Sequence, residues 1–434
     1  MTDPTTIFAP ASGIGRAAVA VIRISGPAAG PLLTHLAGPL PAPRTLSLRT
    51  LRAADTGEIL DRALVAWMPG PKTFTGEDMA ELHLHGGLAV RLGVLTALTA
   101  FPGCTPAEAG AFTKRAFLNG RMDLTQAEGI ADLIDAETEA QRRQAMRQLD
   151  GALGRCVADW RTRLIDLLAG IEAALDFSDE GDVDAAALDA ALFGKARTLR
   201  DEIAHALSDG RRGERLRDGF TVVLAGPPNA GKSTLLNALS RRDAAIVSET
   251  PGTTRDVIEV RCDLDGLPVV LVDTAGLREA LDPIEAEGIR RTRQRMEHAD
   301  LILSLTAAGS QPATALVSPD ALSVRTKSDL DDAPADDGLS VSALTGAGLD
   351  RLLEAIAVRA ASMTGGDALV TRERHRAGLT RCRDHLDRLL QGADLPELAA
   401  EDLRLAVRAL GEVAGAVGVE EILDRLFSGF CIGK

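Results

Sequence analysis

Residues Gly226-Pro-Pro-Asn-Ala-Gly-Lys-Ser233 carry the spacing G-x-x-x-x-G-K-[ST]. The two glycines let the backbone curl until its N–H groups converge, which suits a phosphate group. Lys232 supplies an ammonium for the β- and γ-phosphates, and the Ser233 hydroxyl suits Mg²⁺. The apolar run Phe220–Ala225 before the loop reads as a strand, and Thr234–Leu239 after it as the first turns of a helix. Strand, glycine loop and helix in that order separate the motif from an ordinary glycine turn, and the helix start adds positive potential. The chain is expected to bind a nucleoside triphosphate here, with Asn229, Ala230, Gly231, Lys232, Ser233 and Thr234 around the phosphates.

Further stretches narrow the nucleotide to one containing guanine. Thr250-Pro-Gly-Thr-Thr-Arg-Asp256 falls where a loop would close over the γ-phosphate, and the Thr254 hydroxyl can complete the Mg²⁺ shell begun by Ser233. The apolar strand Pro268–Val272 delivers Asp273, Thr274, Ala275 and Gly276; Asp273 reaches Mg²⁺ through water and the Gly276 N–H senses the γ-phosphate. Thr326, Lys327 and Asp329 occupy the base-reading position, where a carboxylate accepts from N1 and the exocyclic amine of guanine. Adenine matches neither. Ser342, Ala343 and Leu344 complete the base pocket.

Two departures stand out within this pattern. Thr326 replaces the usual asparagine and has no amide to share between base and phosphate loop, a loss expected to cost about 0.5–1.5 kcal/mol of binding. Between Asp300 and Thr326, the Gly-, Ser- and Pro-rich stretch Ala307–Pro319 leaves little room for a helix, so a trimmed domain lacking most of one outer helix is expected. No arginine is placed to act as an internal finger. Asn229 either helps bind a monovalent cation, which would neutralise developing charge, or stabilises the loop.

These motifs must be positioned by a chain of 434 residues, long enough for two to four domains. Its composition, 45% hydrophobic and 25% charged, is that of a soluble globular protein. No apolar run reaches spanning length, and Met1–Pro10 lacks a basic region followed by an apolar stretch, so a cytoplasmic protein without membrane segment or signal peptide is expected. The five scattered cysteines suit a reducing compartment and lack metal-ligand spacing. At a net charge of −14, any nucleic acid would have to meet a local basic patch.

Residues 1–119 mix strands and loops. Ala17–Ser25 reads as a strand whose Arg23 either lines a pocket or snorkels to solvent. Thr75–Gly87 reads as another, with Glu81, His83 and His85 alternating on one face. That polar row is either a pocket or an exposed edge, and its histidines read as hydrogen-bonding ones rather than metal ligands. From about Asp123 the period becomes helical, through Leu124, Ala127, Ile130 and Ile134 and again from Leu149 to Leu175. A further helix is expected over 185–207, then a short charged linker, Ser208–Gly219, with four arginines. Helices resume at Arg372–Gln391, Glu401–Leu410 and Glu420–Ser428, so a nucleotide domain inserted into a helical one is expected. The fold class is α/β multidomain: an N-terminal α+β domain, 1–119; an all-α domain from 120–217 and 363–434; and an inserted P-loop domain, 218–362, with a parallel-rich sheet and flanking helices.

Taken together, the motifs resemble the MnmE (TrmE) family of bacterial tRNA-modification GTPases over nearly the whole chain. The resemblance is carried by Thr6-Ile-Phe-Ala, Val21-Ile-Arg-Ile-Ser-Gly26, Thr73-Phe-Thr-Gly-Glu-Asp78, His85-Gly-Gly87 and Phe112–Leu124 with Gln126-Ala-Glu128. The phosphate loop, Gly252-Thr-Thr-Arg-Asp256 and the terminal Phe430-Cys-Ile-Gly-Lys434 add to it. It implies a tetrahydrofolate-binding, homodimerising N-terminal domain, with Arg23, Glu81, Arg121 and Lys434 at folate-contacting positions and a 5,10-methylene- or 5-formyl-type folate as ligand. It implies a potassium-activated GTPase with Asn229, Ser248, Thr250 and Thr253 around K⁺, Ser233 and Thr254 on Mg²⁺, and Gly252 in the GTP site. Glu285 matches the glutamate that orients the attacking water; otherwise it is one helix-surface acid among many. Cys431 matches a candidate nucleophile or redox residue, or is a structural thiol. Gly110-Ala-Phe-Thr113 departs from the family's Gly-Glu-Phe-Thr.

With an FAD-dependent partner, MnmG (GidA), such proteins add an aminomethyl-type group to C5 of the wobble uridine of certain tRNAs. Folate supplies the carbon, and glycine or ammonium the nitrogen. Two other readings share parts of the pattern. A stand-alone switch GTPase of ribosome assembly should carry a basic appendage, whereas the helical flanks here are acidic or mixed. A folate-dependent one-carbon transferase regulated by GTP is the second.

Overall fold

The computed structural model describes residues 5–13, 15–176, 185–209, 211–242, 246, 259–273, 299–309, 321–330, 339–364, 367–391, 396–417, 423, 426–430 and 432–433. It divides into two compact units, 1–131 with 411–434, and 132–410.

In the first unit, strands β1 (Thr6–Pro10), β2 (Val19–Ser25), β3 (Ser47–Arg52), β4 (Ile59–Met68), β5 (Met79–His85) and β6 (Cys104–Pro106) form one sheet in the order β3-β4-β5-β2-β1-β6. Strand alternation sends Ile22, Ile24, Leu82 and Leu84 to one face, where they are buried against helices α1 (Ala29–Ala37) and α2 (Leu88–Thr99) through Leu32, Leu33, Val94 and Leu98. Each such side chain contributes roughly 1.5–3 kcal/mol of burial. The opposite face keeps Arg23, Glu81 and His83. Since β5 lies between β4 and β2, its polar row is not a sheet edge.

Helix α3 (Ala111–Leu118), the start of α4 (Leu124–Asp135) and the chain's end complete this unit. Leu124, Ala127, Leu423, Phe427 and Phe430 share a core, and Ile432 bridges to Ala109. Gly433 runs so close to β1 that a Cβ would stand 2.0 Å from the Pro10 carbonyl oxygen, so only glycine fits. The C-terminal segment is thus part of the N-terminal unit.

A buried ion pair locks the loop before β5. Arg115 on α3 meets Glu77 at 2.9 Å, with 9% and 11% of the side chains exposed. The guanidinium also donates to Thr5 O at 2.9 Å, and Ser25 Oγ donates to Glu77 at 2.8 Å. Removing one partner of such a pair strands the other charge, so Arg115→Ala should destabilise this unit by about 3–5 kcal/mol. Trp67 lies in its core and Trp160 in the other unit. Urea unfolding followed by Trp67 fluorescence in a Trp160→Phe background measures the loss; a change below about 1 kcal/mol, the worth of an exposed pair, would show that the pair is not buried in effect.

The second unit holds the long helices α5 (Glu139–Leu149), α6 (Ala152–Asp176), α7 (Ala185–Leu207), α11 (Glu373–Gln391) and most of α12 (Pro396–Ala414) together with a second sheet. Helix α12 extends beyond the expected Glu401–Leu410 at both ends. Arg163 on α6 forks onto Glu202 of α7 at 2.7 and 2.9 Å, and Arg200 of α7 reaches Asp387 of α11 at 3.2 Å.

The charged linker of the sequence reading is a helix, α8 (Arg212–Asp218). Only Gly213 and Leu216 of it are buried, too few for a periodic signal. Ion pairs hold it instead: Arg215 with Asp300 at 2.6 Å, Arg217 with Asp132 at 2.8 Å and Glu214 with Arg376 at 2.8 Å. Those partners lie far along the chain, which is why local sequence did not show the helix.

The second sheet contains β7 (Phe220–Ala225), β8 (Glu259–Leu264), β9 (Leu267–Asp273), β10 (Leu301–Ala307), β11 (Leu322–Thr326) and β12 (Leu339–Ser340), in the order β12-β11-β10-β7-β9-β8. All pairs are parallel except β8 with β9. Helices α9 (Lys232–Ser240) and α10 (Leu349–Thr364) pack Leu235, Leu236, Leu352 and Ile356 onto Leu224, Leu271 and Leu303. Burial in this core raises the Cys262 thiol to about 11, and burial within α11 raises Cys382 to about 12, so both stay protonated at neutral pH. The outer helix expected to be trimmed falls in 310–320, outside the described residues.

Candidate nucleotide-binding site

β7 is an inner strand that runs straight into the glycine loop, and the loop opens helix α9. At Gly226 a Cβ would stand 2.6 Å from the Leu305 carbonyl oxygen, so the first glycine is required by the neighbouring strand β10. Asn229 and Gly231 take positive φ, +63° and +83°, the turn that points successive N–H groups inward. Lys232 is 7% exposed and donates from Nζ to Gly226 O and Pro227 O, both at 3.0 Å. The ammonium is therefore held over the loop rather than in solvent.

Ser233 Oγ donates to Asp273 Oδ2 at 2.5 Å, and Asp273 is 1% exposed. A hydroxyl and a buried carboxylate side by side are the hard oxygen donors that Mg²⁺ prefers, so these residues fit the ion. Asn229 and Thr234 are exposed at the loop and Ala230 is buried beneath it.

The base side lies two strands from β7, beyond β10. β11 ends at Thr326, which is 4% exposed and donates from Oγ1 to Ala230 O at 2.7 Å. Lys327 takes φ +58°, and Asp329 follows in a single turn of 3₁₀ helix. Buried Ser342 donates from Oγ to Asp329 Oδ1 at 2.6 Å and accepts from the Thr345 N–H at 3.2 Å. Ala343 is half-buried, while Leu344 is 84% exposed. Phosphate loop, Asp329 and Ser342 are thus joined by hydrogen bonds through Thr326 and β11. Ser248, Thr250, Gly252, Thr253, Thr254, Thr274, Ala275, Gly276 and Glu285 lie outside the described residues, as do Cys431 and Lys434.

A second polar cluster occupies the open face of the first sheet. Arg23 and Glu81 are register partners on β2 and β5, paired at 3.1 Å with 24% and 22% of their side chains exposed. The Arg23 guanidinium stands 5.5 Å from the Phe74 ring centroid and 6.0 Å from that of Phe112. Arg121 donates to Thr73 O at 3.2 Å, and Asn119 donates to Thr75 O at 2.7 Å, so both brace the loop that carries Phe74. The paired guanidinium and carboxylate beside the half-buried Phe74 ring fit a flat heteroaromatic ring with polar edges, such as the ring of a folate, while Phe112 is fully buried beneath them. Phe74 is the half-buried neighbour of this pair that was not named as a candidate from sequence, although it lies inside the motif Thr73-Phe-Thr-Gly-Glu-Asp78.

His85 is tied to a buried carboxylate: Asp61 accepts from the His85 N–H at 2.8 Å and meets its Nδ1 at 2.7 Å. Burial alone would raise the Asp61 carboxyl, but these bonds and that from the Arg62 N–H outweigh it and hold the group below its ordinary range. Among the described residues, no group of three or more His, Cys, Asp or Glu could hold a metal ion. No helix among them is long and apolar enough to cross a membrane.

Comparison with known proteins bears on the whole chain. Residues 6–121 match the GTP-binding protein TrmE N-terminus, and residues 124–431 match the MnmE helical domain. The tRNA modification GTPase MnmE of Methylorubrum populi is 72% identical over 434 residues, 99% of this chain and 98% of that protein. Its namesake in Methylobacterium radiotolerans is 67% identical over 100% of both chains, and that of Rhodospirillum rubrum 51% identical over 99% of both. Among solved structures, the G domain of the T. maritima FeoB iron transporter aligns at 26% identity and TM-score 0.26, covering 32% of this chain and 98% of that one. The phosphate loop on a largely parallel sheet, the two family matches that together span residues 6–431 and the end-to-end relatives agree: the chain belongs to the MnmE family of tRNA modification GTPases.

Proposed function

We propose that this GTPase is potassium-activated and that, with an FAD-dependent partner of the MnmG type, it adds a (carboxymethyl)aminomethyl group to C5 of the wobble uridine of certain tRNAs. Support for the GTP half comes from one observation above all: Ser342 holds Asp329, and Thr326 ties the strand that carries it to the phosphate loop. A base bound at Asp329 therefore fixes where the phosphates of the same molecule lie. Lys232 would hold the β- and γ-phosphates, with Ser233 and Thr254 on Mg²⁺ and Asp273 acting on it through water.

Asn229 would offer its side-chain oxygen to K⁺ together with Ser248, Thr250 and Thr253, and Glu285 would orient the attacking water. A monovalent cation there neutralises charge that develops between the β- and γ-phosphates. Homodimerisation fits both this activation and a shared folate site. Arg23, Glu81, Arg121 and Lys434 would bind a tetrahydrofolate derivative, which supplies a one-carbon unit when bound. The Glu81 carboxylate, oriented by its ion pair with Arg23, suits the amino-substituted ring. Cys431 is the candidate chemical residue near the chain's end. Domain limits follow the motifs: 1–119 for folate and dimerisation, 120–217 with 363–434 for the helical domain, and 218–362 for the inserted G domain. The activity is assigned to the cytoplasm, where tRNA is modified.

Steady-state GTP hydrolysis in matched KCl and NaCl tests this reading, with ATP as control nucleotide. Turnover in KCl should exceed that in NaCl by about tenfold or more, since one stabilising charge at the transition state is worth at least ~1.4 kcal/mol. Equal rates in both salts would remove the cation and leave a GTPase activated by another route.

A further inference from the structure

Thr326 is the last residue of β11, 4% exposed, with its hydroxyl beneath the phosphate loop. A Cβ on Gly231 would stand 3.8 Å from Thr326 Oγ1, which places the hydroxyl directly under the loop's second glycine. The hydroxyl has one proton to donate. Ala230 O lies at 2.7 Å and Thr306 O at 3.4 Å, and both are carbonyl acceptors. The proton is therefore used inside the protein, and the shorter contact assigns it to the phosphate loop.

Guanine's edges ask for different partners. Its N1–H and exocyclic amine are donors, which the Asp329 carboxylate can accept. N7, on the other edge, is a bare acceptor and needs a donor. Thr326 has no second proton to give it. We infer that Thr326 is a phosphate-loop tether and not a base reader, so that base selection in this protein rests on the Watson–Crick edge and is indifferent to N7.

The inference rests on the reading of Asp329 as the guanine reader, and the two can fail separately. The test is binding of GTP, 7-deaza-GTP and ITP to the full-length protein, by competition against a fluorescent guanine nucleotide. In 7-deaza-GTP a C–H replaces N7 and the Watson–Crick edge is intact; ITP lacks the exocyclic amine. GTP and 7-deaza-GTP should bind within about twofold of each other, while ITP should be weaker by roughly two- to tenfold, the worth of one hydrogen bond. A loss of about fivefold or more for 7-deaza-GTP would overturn the inference, because N7 then has a donor. ITP binding as tightly as GTP would instead overturn the reading of Asp329 and the ground on which the inference stands.

Thr326→Val keeps the shape and removes the hydroxyl. It should weaken GTP and 7-deaza-GTP by the same factor, about two- to tenfold, because Ala230 O loses its donor whichever base is bound. A loss confined to GTP, or no loss with either nucleotide, would overturn the tether.

Discussion

Asp329→Asn should turn the protein from a guanine-selective to a xanthine-selective nucleotidase, weakening GTP by about 10²-fold or more while xanthosine triphosphate becomes the preferred ligand. The argument is one of donors and acceptors. An aspartate carboxylate has only acceptors and meets the two donors of guanine's N1 and exocyclic amine. An asparagine amide sets its own N–H₂ against that amine, so two donors face each other. Xanthine carries a carbonyl at that position and accepts from the amide, while its N1–H still finds the amide oxygen. Ser342 can donate to the amide oxygen as it does to Asp329 Oδ1, so the side chain should keep its place. Competition binding with both nucleotides decides it. A variant that still prefers GTP would show that guanine is read elsewhere.

Lys232→Ala should lower GTP turnover by about 10²- to 10³-fold, the range seen when one preorganised donor is removed from a transition-state site. The buried ammonium donates to Gly226 O and Pro227 O, so its position over the loop is set before nucleotide arrives. Preorganisation of this kind is worth more than a mobile surface charge, which water and salt screen. Binding should weaken too, by at least about tenfold, since charge-assisted hydrogen bonds are worth roughly 1.5–3 kcal/mol. Thermal stability of the free variant should fall by no more than the worth of those two hydrogen bonds, about 1–3 kcal/mol. Turnover within about threefold of the unaltered protein would mean that the phosphates lie elsewhere.

Local sequence determined a large part of this protein. The phosphate loop was legible because its conformation is local: Gly231 adopts φ +83° at no steric cost, and Lys232 and Ser233 follow at fixed spacing. The inner strands of the parallel sheet were legible as continuous apolar runs because both their faces are buried, and the long helices because their burial repeats every three to four residues. Arg23 and Glu81 were legible as polar positions within apolar strands, and the register sets them side by side.

Tertiary structure decided what depends on residues far apart in the chain. Arg115 meets Thr5 across 110 residues and Arg217 meets Asp132 across 85, so neither the lock on the Phe74 loop nor helix α8 had a periodic signature. Thr326 makes the point most directly. As a residue type it showed only that an amide was missing, and both the base and the loop stood to lose a partner. Its contact with Ala230, 96 residues away, settles which one keeps it. A hydroxyl has a single proton, and only the packing of β11 under the phosphate loop says where that proton goes.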